Sequence, residues 1–270
     1  MKTFLFSVDY EEFYAAERQE TFRRTPLPLL TEQLLDFLRR AGMHCTFFVV
    51  GEIAERFPQA LRAIAAEGHE LACHTHTHRP VAEHTPASLR EDLLRNLDAV
   101  RACAIAPVTG FRAPILSLTP QTAWAHPLLA ELGFKYSSSV LPARNPLYGW
   151  PGFGSAPRLV DGITEIPMTV ARVGPIEVPI GAGTYFRCLP MPLIRRAFAR
   201  TARRAAPIVG YFHPYDIDTA QERVMSRGVK RSRLINSLLY VNRHRTLERL
   251  ESLIARGFKI VPYSEFLASH

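Results

Sequence analysis

The segment ELACHTHTHRP, residues 70–80, places His74, His76 and His78 at alternate positions directly after an apolar run. Neutral imidazole is a good ligand for borderline cations, and closely spaced imidazoles can meet one ion. If 74–78 stays extended, all three rings share a face. If it turns helically, His74 and His78 converge and His76 points aside. Asp9 and Glu11 close an earlier apolar run in the stretch SVDYEEFY. In extended backbone these two share a face and Glu12 points away, so Glu11 is the better third ligand of a site that keeps an open position for water. With no ion to bind, the same run of His and Thr is a hydrated surface stretch. Arg112 in FRAP and His213 in YFHPYDID follow later apolar runs in the same manner.

These groups need a scaffold that brings them together. TFLFSV (3–8), CTFFVV (45–50), HELAC (69–73), VTGFR (108–112) and IVGYF (208–212) are short, rich in β-branched and aromatic residues, and have the character of buried parallel strands. Between them, PLLTEQLLDFLRRAG, EIAERFPQALRAIAAEG and ASLREDLLRNLDAVRA repeat apolar residues at helical spacing. The first two stop at glycine, a common C-terminal signal. Alternating strand and helix predicts a parallel α/β fold, in which functional groups collect at the C-terminal strand ends. Asp9, Glu11, the histidines, Arg112 and His213 all fall there. Residues 142–190 break the rhythm with PARNPLYGWPGFGSAP and short extended pieces, ITEIPMTV and IEVPI, and read as an irregular insertion or an irregular barrel edge within a single domain spanning 1–270.

At 270 residues and 47% hydrophobic content, the chain can bury one full-sized core. Its formal charge of +8 favours an anionic neighbour. No basic and aromatic nucleic-acid motif accompanies that charge, so nucleic acid ranks last among the partners. Four scattered cysteines without a CxxC pair fit reduced thiols. MKTFLFSVDYEEFY meets acids by position 9, unlike a signal peptide, and no apolar run is long enough to cross a bilayer. Both features predict a cytoplasmic protein.

Taken together, SVDYEEFY, HTHTH, FRAP and YFHPYDID make the chain resemble the polysaccharide deacetylases. This is the NodB-homology group, also called carbohydrate esterase family 4. The chain is similar in particular to the branch associated with exopolysaccharide gene clusters, including a branch-specific C-terminal portion over 213–270. CTFFVVGEIAERFP and GHELACH also look like family segments. The resemblance implies a distorted (β/α)7-type barrel that hydrolyses the N-acetyl group of an amino sugar with a divalent metal, zinc. It implies Glu11, His74 and His78 as metal ligands, Asp9 as general base, His213 as general acid, and Arg112 as the group that holds the base in place. Two departures stand out. Many members begin with paired acids where this chain has Asp9-Tyr10-Glu11-Glu12, and relatives often read Tyr-Asp-Ser-Ser where this chain has FKYSSSV, with Ser137 in the acid's place. Asp216 or Asp218 is the nearest replacement in sequence, and a relative that binds glycan or metal without turnover is the alternative.

MPLIRRAFARTARRAAP can form a helix with Leu193, Ile194, Phe198 and Ala202 on one side and five arginines over the rest. Such a helix could lie on anionic lipid or pack its apolar side on the barrel. With an expected cytoplasmic location, an N-acetylated or lipid-linked glycan at the inner membrane face is the predicted substrate.

Overall fold

The computed structural model describes residues 2–13, 26–103, 107–145, 148–174, 176–204, 206–226 and 232–269. Its strands are β1 (Lys2–Tyr10), β2 (Thr46–Val49), β3 (Glu70–Cys73), β4 (Gly110–Phe111), β5 (Tyr136–Ser137), β6 (Arg158–Val160), β7 (Ile163–Glu165), β8 (Ala171–Val173), β9 (Ile176–Val178), β10 (Ile208–Phe212) and β11 (Phe258–Ile260). Among the described residues, one sheet runs β10-β1-β2-β3-β4-β5-β7-β6 with β11 also on β1, and β8 and β9 form a separate hairpin. β1 is central. It pairs in parallel with β10 along one side, and along the other with β11 and then β2. Phe4, Phe6, Val8 and Tyr10 on one face of β1 and Leu5 and Ser7 on the other are all buried, as a strand covered on both faces requires.

The helices follow the apolar periodicity, with one correction. α1 (Leu27–Ala41) buries Leu27, Leu30, Leu34, Leu35, Phe37 and Leu38 and ends at Gly42, whose φ of 62° needs glycine's freedom. Each such side chain contributes roughly 1.5–3 kcal/mol by leaving water. The pattern over 52–68 predicts one helix, but α2 (Gly51–Arg56) and α3 (Pro58–Ala66) are separate, with Phe57 at φ −130°, ψ 52°. Pro58 lacks an N–H and pushes the preceding residue out of helical geometry. α4 (Pro86–Arg101) starts from a Thr85–Ser88 capping box, and α5 (Ala125–Glu131) precedes β5.

The segment 142–190 is less irregular than its composition predicts. β7 joins the main sheet in parallel with β5, β6 returns antiparallel to it, and α6 (Gly183–Cys188) follows the β8–β9 hairpin. The barrel expected from the sequence is not completed by a ladder. Across the seam Thr169 N–H donates to Val209 O (3.3 Å), Val209 N–H donates to Thr169 Oγ1 (2.8 Å), and Tyr211 N–H donates to Gly181 O (3.1 Å). Gly181 and Gly210 allow this approach, since a Cβ on either would come within 2.6 Å of the opposing backbone oxygen. α7 (Met191–Ala202) packs Ile194 and Phe198 inward, the Phe198 ring lying 5.3 Å from that of Phe4. The apolar side that this helix would need on lipid is therefore taken by the core.

Candidate active site

The strand ends meet as the parallel order requires. Asp9 closes β1, His74 follows β3, Arg112 follows β4 and His213 follows β10. Asp9, Glu11, His74, His78 and His213 line one cavity of about 380 Å³ with Tyr148, Tyr185, Arg187, Tyr211 and Tyr215.

Arg112 is fully buried and uses all its donors. Nε donates to Ser138 O (2.9 Å), one terminal nitrogen donates to Ser7 Oγ (2.7 Å) and Asp9 Oδ1 (2.6 Å), and the other donates to Ser138 Oγ (3.2 Å) and Tyr263 Oη (2.8 Å). Its guanidinium lies 3.9 Å from the centre of the Phe48 ring. Five N–H groups in a rigid fork suit this cage, whereas a lysine offers three donors from a point. One Asp9 oxygen is thereby held, and the other, Oδ2, lies 4.0 Å from His74 Nε2.

The histidine run adopts neither of the two geometries weighed from the sequence. Thr75 (φ 60°) and His78 (φ 53°) both take left-handed backbone, which curls the segment so that His74 and His78 approach with ring centres 5.0 Å apart. The turn is held from α4. Asp92 accepts from the N–H groups of His76 (2.5 Å) and Thr77 (3.2 Å), and Asn96 Nδ2 donates to the carbonyls of Val49 (2.8 Å) and Thr75 (2.5 Å). His76 points away from the cavity, its Nε2 3.0 Å from Arg95.

His74 Nδ1 sits 2.8 Å from the Arg112 carbonyl, which can only accept, so Nδ1 carries the proton and Nε2 presents its lone pair. Burial depresses this imidazole to about 4 against the opposing charge of Asp9, keeping it neutral. Glu11 accepts from Tyr215 Oη at Oε1 (3.0 Å), and its buried Oε2 lies 2.5 Å from His78 Nε2. Burial would raise the Glu11 carboxyl, but His78, His213 and His74 outweigh it and hold it at about 2, ionised. One ligand atom each from Glu11, His74 and His78 lies within 4.8 Å of the others. Two imidazole nitrogens and a carboxylate oxygen fit a divalent ion that leaves positions open. Glu12 faces elsewhere and pairs with Arg56 (2.7 Å).

At the end of β10, His213 stacks on Tyr215, ring centres 4.4 Å apart, with its Nε2 3.6 Å from Glu11 Oε1. Asp216 Oδ2 accepts from the His213 backbone N–H (2.8 Å) and lies 3.1 Å from Nδ1, while Arg187 approaches Oδ1 at 2.8 Å. Burial lowers the His213 pKa, but the bond to Asp216 and the charge of Glu11 overcome it and raise the net value. Asp216 itself is held well below the usual carboxylate range; Arg187 and His213 outweigh its burial. Asp218 instead accepts from Ala220 N–H (3.0 Å). Ser137 donates to Ser139 Oγ (2.8 Å), and Glu165 accepts from the Ser139 and Val140 N–H groups, so that neighbourhood is tied within itself.

Comparison with known proteins places the chain. Residues 20–137 match the family described as polysaccharide deacetylase. The chain carries a polysaccharide deacetylase domain. Residues 138–267 match a domain of unknown function, DUF3473. The chain is 38% identical over 95 residues to a chitooligosaccharide deacetylase of a Bradyrhizobium strain, covering 35% of this chain and 43% of that protein. It is 32% identical over 101 residues to a peptidoglycan-N-acetylglucosamine deacetylase of Bacillus cereus, covering 37% and 36%. The matches thus span less than half the length of these relatives. In fold the chain is similar to the peptidoglycan deacetylase PdaC of Bacillus subtilis (TM-score 0.52, 13% identity, 97% of this chain and 88% of that one). It is similar also to a family 4 carbohydrate esterase pseudoenzyme of Bacillus anthracis (TM-score 0.53, 11% identity, 98% and 64%). The fold is thus shared by active and inactive proteins, and chemistry must be argued from the site.

The deacetylase match contains His74, His78 and Arg112, whereas His213 comes from the DUF3473 region with Arg187, Tyr215, Asp216 and Tyr263. Sequence reading named Asp216 only as an alternative and missed Arg187, Tyr215 and Tyr263. Arg187 and Tyr263 stand in helices with no motif around them, and only YFHPYDID, which contains Tyr215, carried a signal. No described helix is long and apolar enough to cross a membrane.

Proposed function

We propose that this chain is a metal-dependent hydrolase that removes N-acetyl groups from amino sugars of a glycan. The observation that carries the reading is the three-donor cluster of Glu11, His74 and His78 with Asp9 on one flank and His213 on the other. Glu11, His74 and His78 would hold the ion, and the two-nitrogen, one-oxygen donor set favours zinc. A divalent ion there supplies Lewis acidity to the amide carbonyl and to the attacking water.

The chain's own groups move the protons. Asp9, with Oδ1 fixed by Arg112, takes the water's proton at Oδ2. His213, its pKa raised with Asp216 at Nδ1, delivers a proton from Nε2 to the leaving nitrogen as the carbon–nitrogen bond breaks and acetate departs. Asp216 fills the need left by Ser137, which favours turnover over the binding-only alternative. The named activities of the relatives support an N-acetylated chito-oligosaccharide or peptidoglycan-type substrate. A lipid-linked glycan precursor at the inner membrane face, and a cytoplasmic location, remain part of the proposal; the four unpaired cysteines fit a reducing compartment. The test is acetate release from N-acetylated chito-oligosaccharides by zinc-loaded protein. A chain that binds zinc but releases no acetate from chitin or peptidoglycan fragments would be a binding relative instead.

A further inference from the structure

A second cavity, of about 450 Å³, lies between the β8–β9 hairpin and α7. Arg172 of the hairpin, Arg196 and Arg200 of α7, and Arg204 in the turn after it all line this space. Arg196 and Arg200 are one helical turn apart, a spacing at which like charges destabilise a helix. Some surface arginines have carboxylate partners, as in Arg39–Glu67, Arg79–Glu83 and Arg90–Glu131. Among the described residues, none of the four cavity arginines forms an ion pair. Glu177 stands opposite Arg172 in the hairpin register without pairing to it. The remaining wall is Val170, Ala171, Leu193, Ala197 and Thr201, whose small members on α7 leave the space open. The buried side of α7, Ile194 and Phe198, anchors the helix to the core, so the arginine side is displayed by a fixed element.

We propose that this cavity is a phosphate-binding site that takes a phosphate or diphosphate ester. Guanidinium forks match phosphate oxygens in pairs, and four of them exceed what one carboxylate can occupy. The apolar wall suits the carbon skeleton of an ester, which free phosphate lacks. The segment 170–204 serves both cavities, contributing Pro179, Thr184, Tyr185 and Arg187 to the first. This site does not depend on the deacetylase reading. The phosphate could belong to a soluble or carrier-linked ester or to a lipid headgroup.

The test is calorimetric titration of the full chain with inorganic pyrophosphate, beside co-sedimentation with vesicles of phosphatidylcholine alone or mixed with phosphatidylglycerol. Parent protein, R196Q/R200Q and R172Q are compared. Pyrophosphate binding that weakens about tenfold or more in R196Q/R200Q supports an ester site. Sedimentation only with the anionic vesicles, lost in the same variant and without pyrophosphate binding, assigns the phosphate to a headgroup. Should R196Q/R200Q lose its circular dichroism, R172Q decides, because Arg172 stands on a hairpin outside the main sheet. The proposal is overturned if the parent binds neither probe, or if the folded variants bind as the parent does. Acetate release from soluble chito-oligosaccharide should stay at the parent level in all variants, so failure here leaves the deacetylase reading intact.

Discussion

Asp216 grips His213 twice, accepting from its backbone N–H at 2.8 Å and facing its ring Nδ1 at 3.1 Å. The second contact favours the protonated ring, so His213 loses its proton at a pH above the ordinary imidazole value. Activity that needs this proton is present below that raised pKa and falls as pH rises through it. Asp216→Asn removes the charge and should move the alkaline limb of the pH–rate profile to lower pH, with a loss of up to about 10²-fold on the alkaline side. An unmoved limb would make Asp216 a purely structural partner of Arg187.

Gly183 tests the same contact without deleting the charge. A Cβ there would lie 2.1 Å from Asp216 Oδ2. Gly183→Ala should push the carboxylate off His213 and shift the alkaline limb in the same direction, with a stability cost of about 1–3 kcal/mol from overpacking. The pH–rate profile and a denaturant titration measure the two effects separately.

Metal binding should depend most on Glu11, His74 and His78. Glu11→Gln, His74→Ala and His78→Ala should each weaken zinc by more than the roughly 10–100-fold that an outer-sphere change costs. Glu12→Gln and His76→Ala should keep the ion, because Glu12 pairs with Arg56 and His76 faces Arg95. Zinc titrations of the five variants check this; loss in Glu12→Gln with retention in Glu11→Gln would reverse the ligand assignment. Chelation of the parent should abolish acetate release, and added zinc should restore it.

Asp9→Asn and His213→Ala should retain zinc yet lose roughly 10²–10⁴-fold in turnover. Steady-state acetate release with the metal content measured on the same sample distinguishes this from ligand loss.

Arg112→Met should be among the most destabilising single changes, by about 3–5 kcal/mol, because it strands the buried Asp9 carboxylate. Chemical denaturation gives the size. A loss within about 1 kcal/mol, the value of an exposed pair, would show that Asp9 finds another partner.

The sequence by itself determined the parallel α/β class, the strand ends at which Asp9, His74, Arg112 and His213 gather, and the set of residue types fit for a metal. Those follow from alternation and apolar runs, which are local. The strand period of two preferred Glu11 over Glu12, but β1 ends at Tyr10 and the Glu11 N–H turns back to Asp9 O (3.1 Å), so that turn, not the strand, orients Glu11. Tertiary structure decided the rest. Helical periodicity concealed the break at Phe57–Pro58. Neither an extended nor a helical reading of HTHTH could anticipate positive φ at Thr75 and His78, since Asp92 and Asn96, more than a dozen residues away on α4, hold that turn. The choice of Asp216 over Asp218, the Arg187 clamp and the Tyr263 bond to Arg112 span up to 151 residues of chain. Contacts of that separation leave no periodic trace, because each is fixed by where two elements pack and not by the residues beside it.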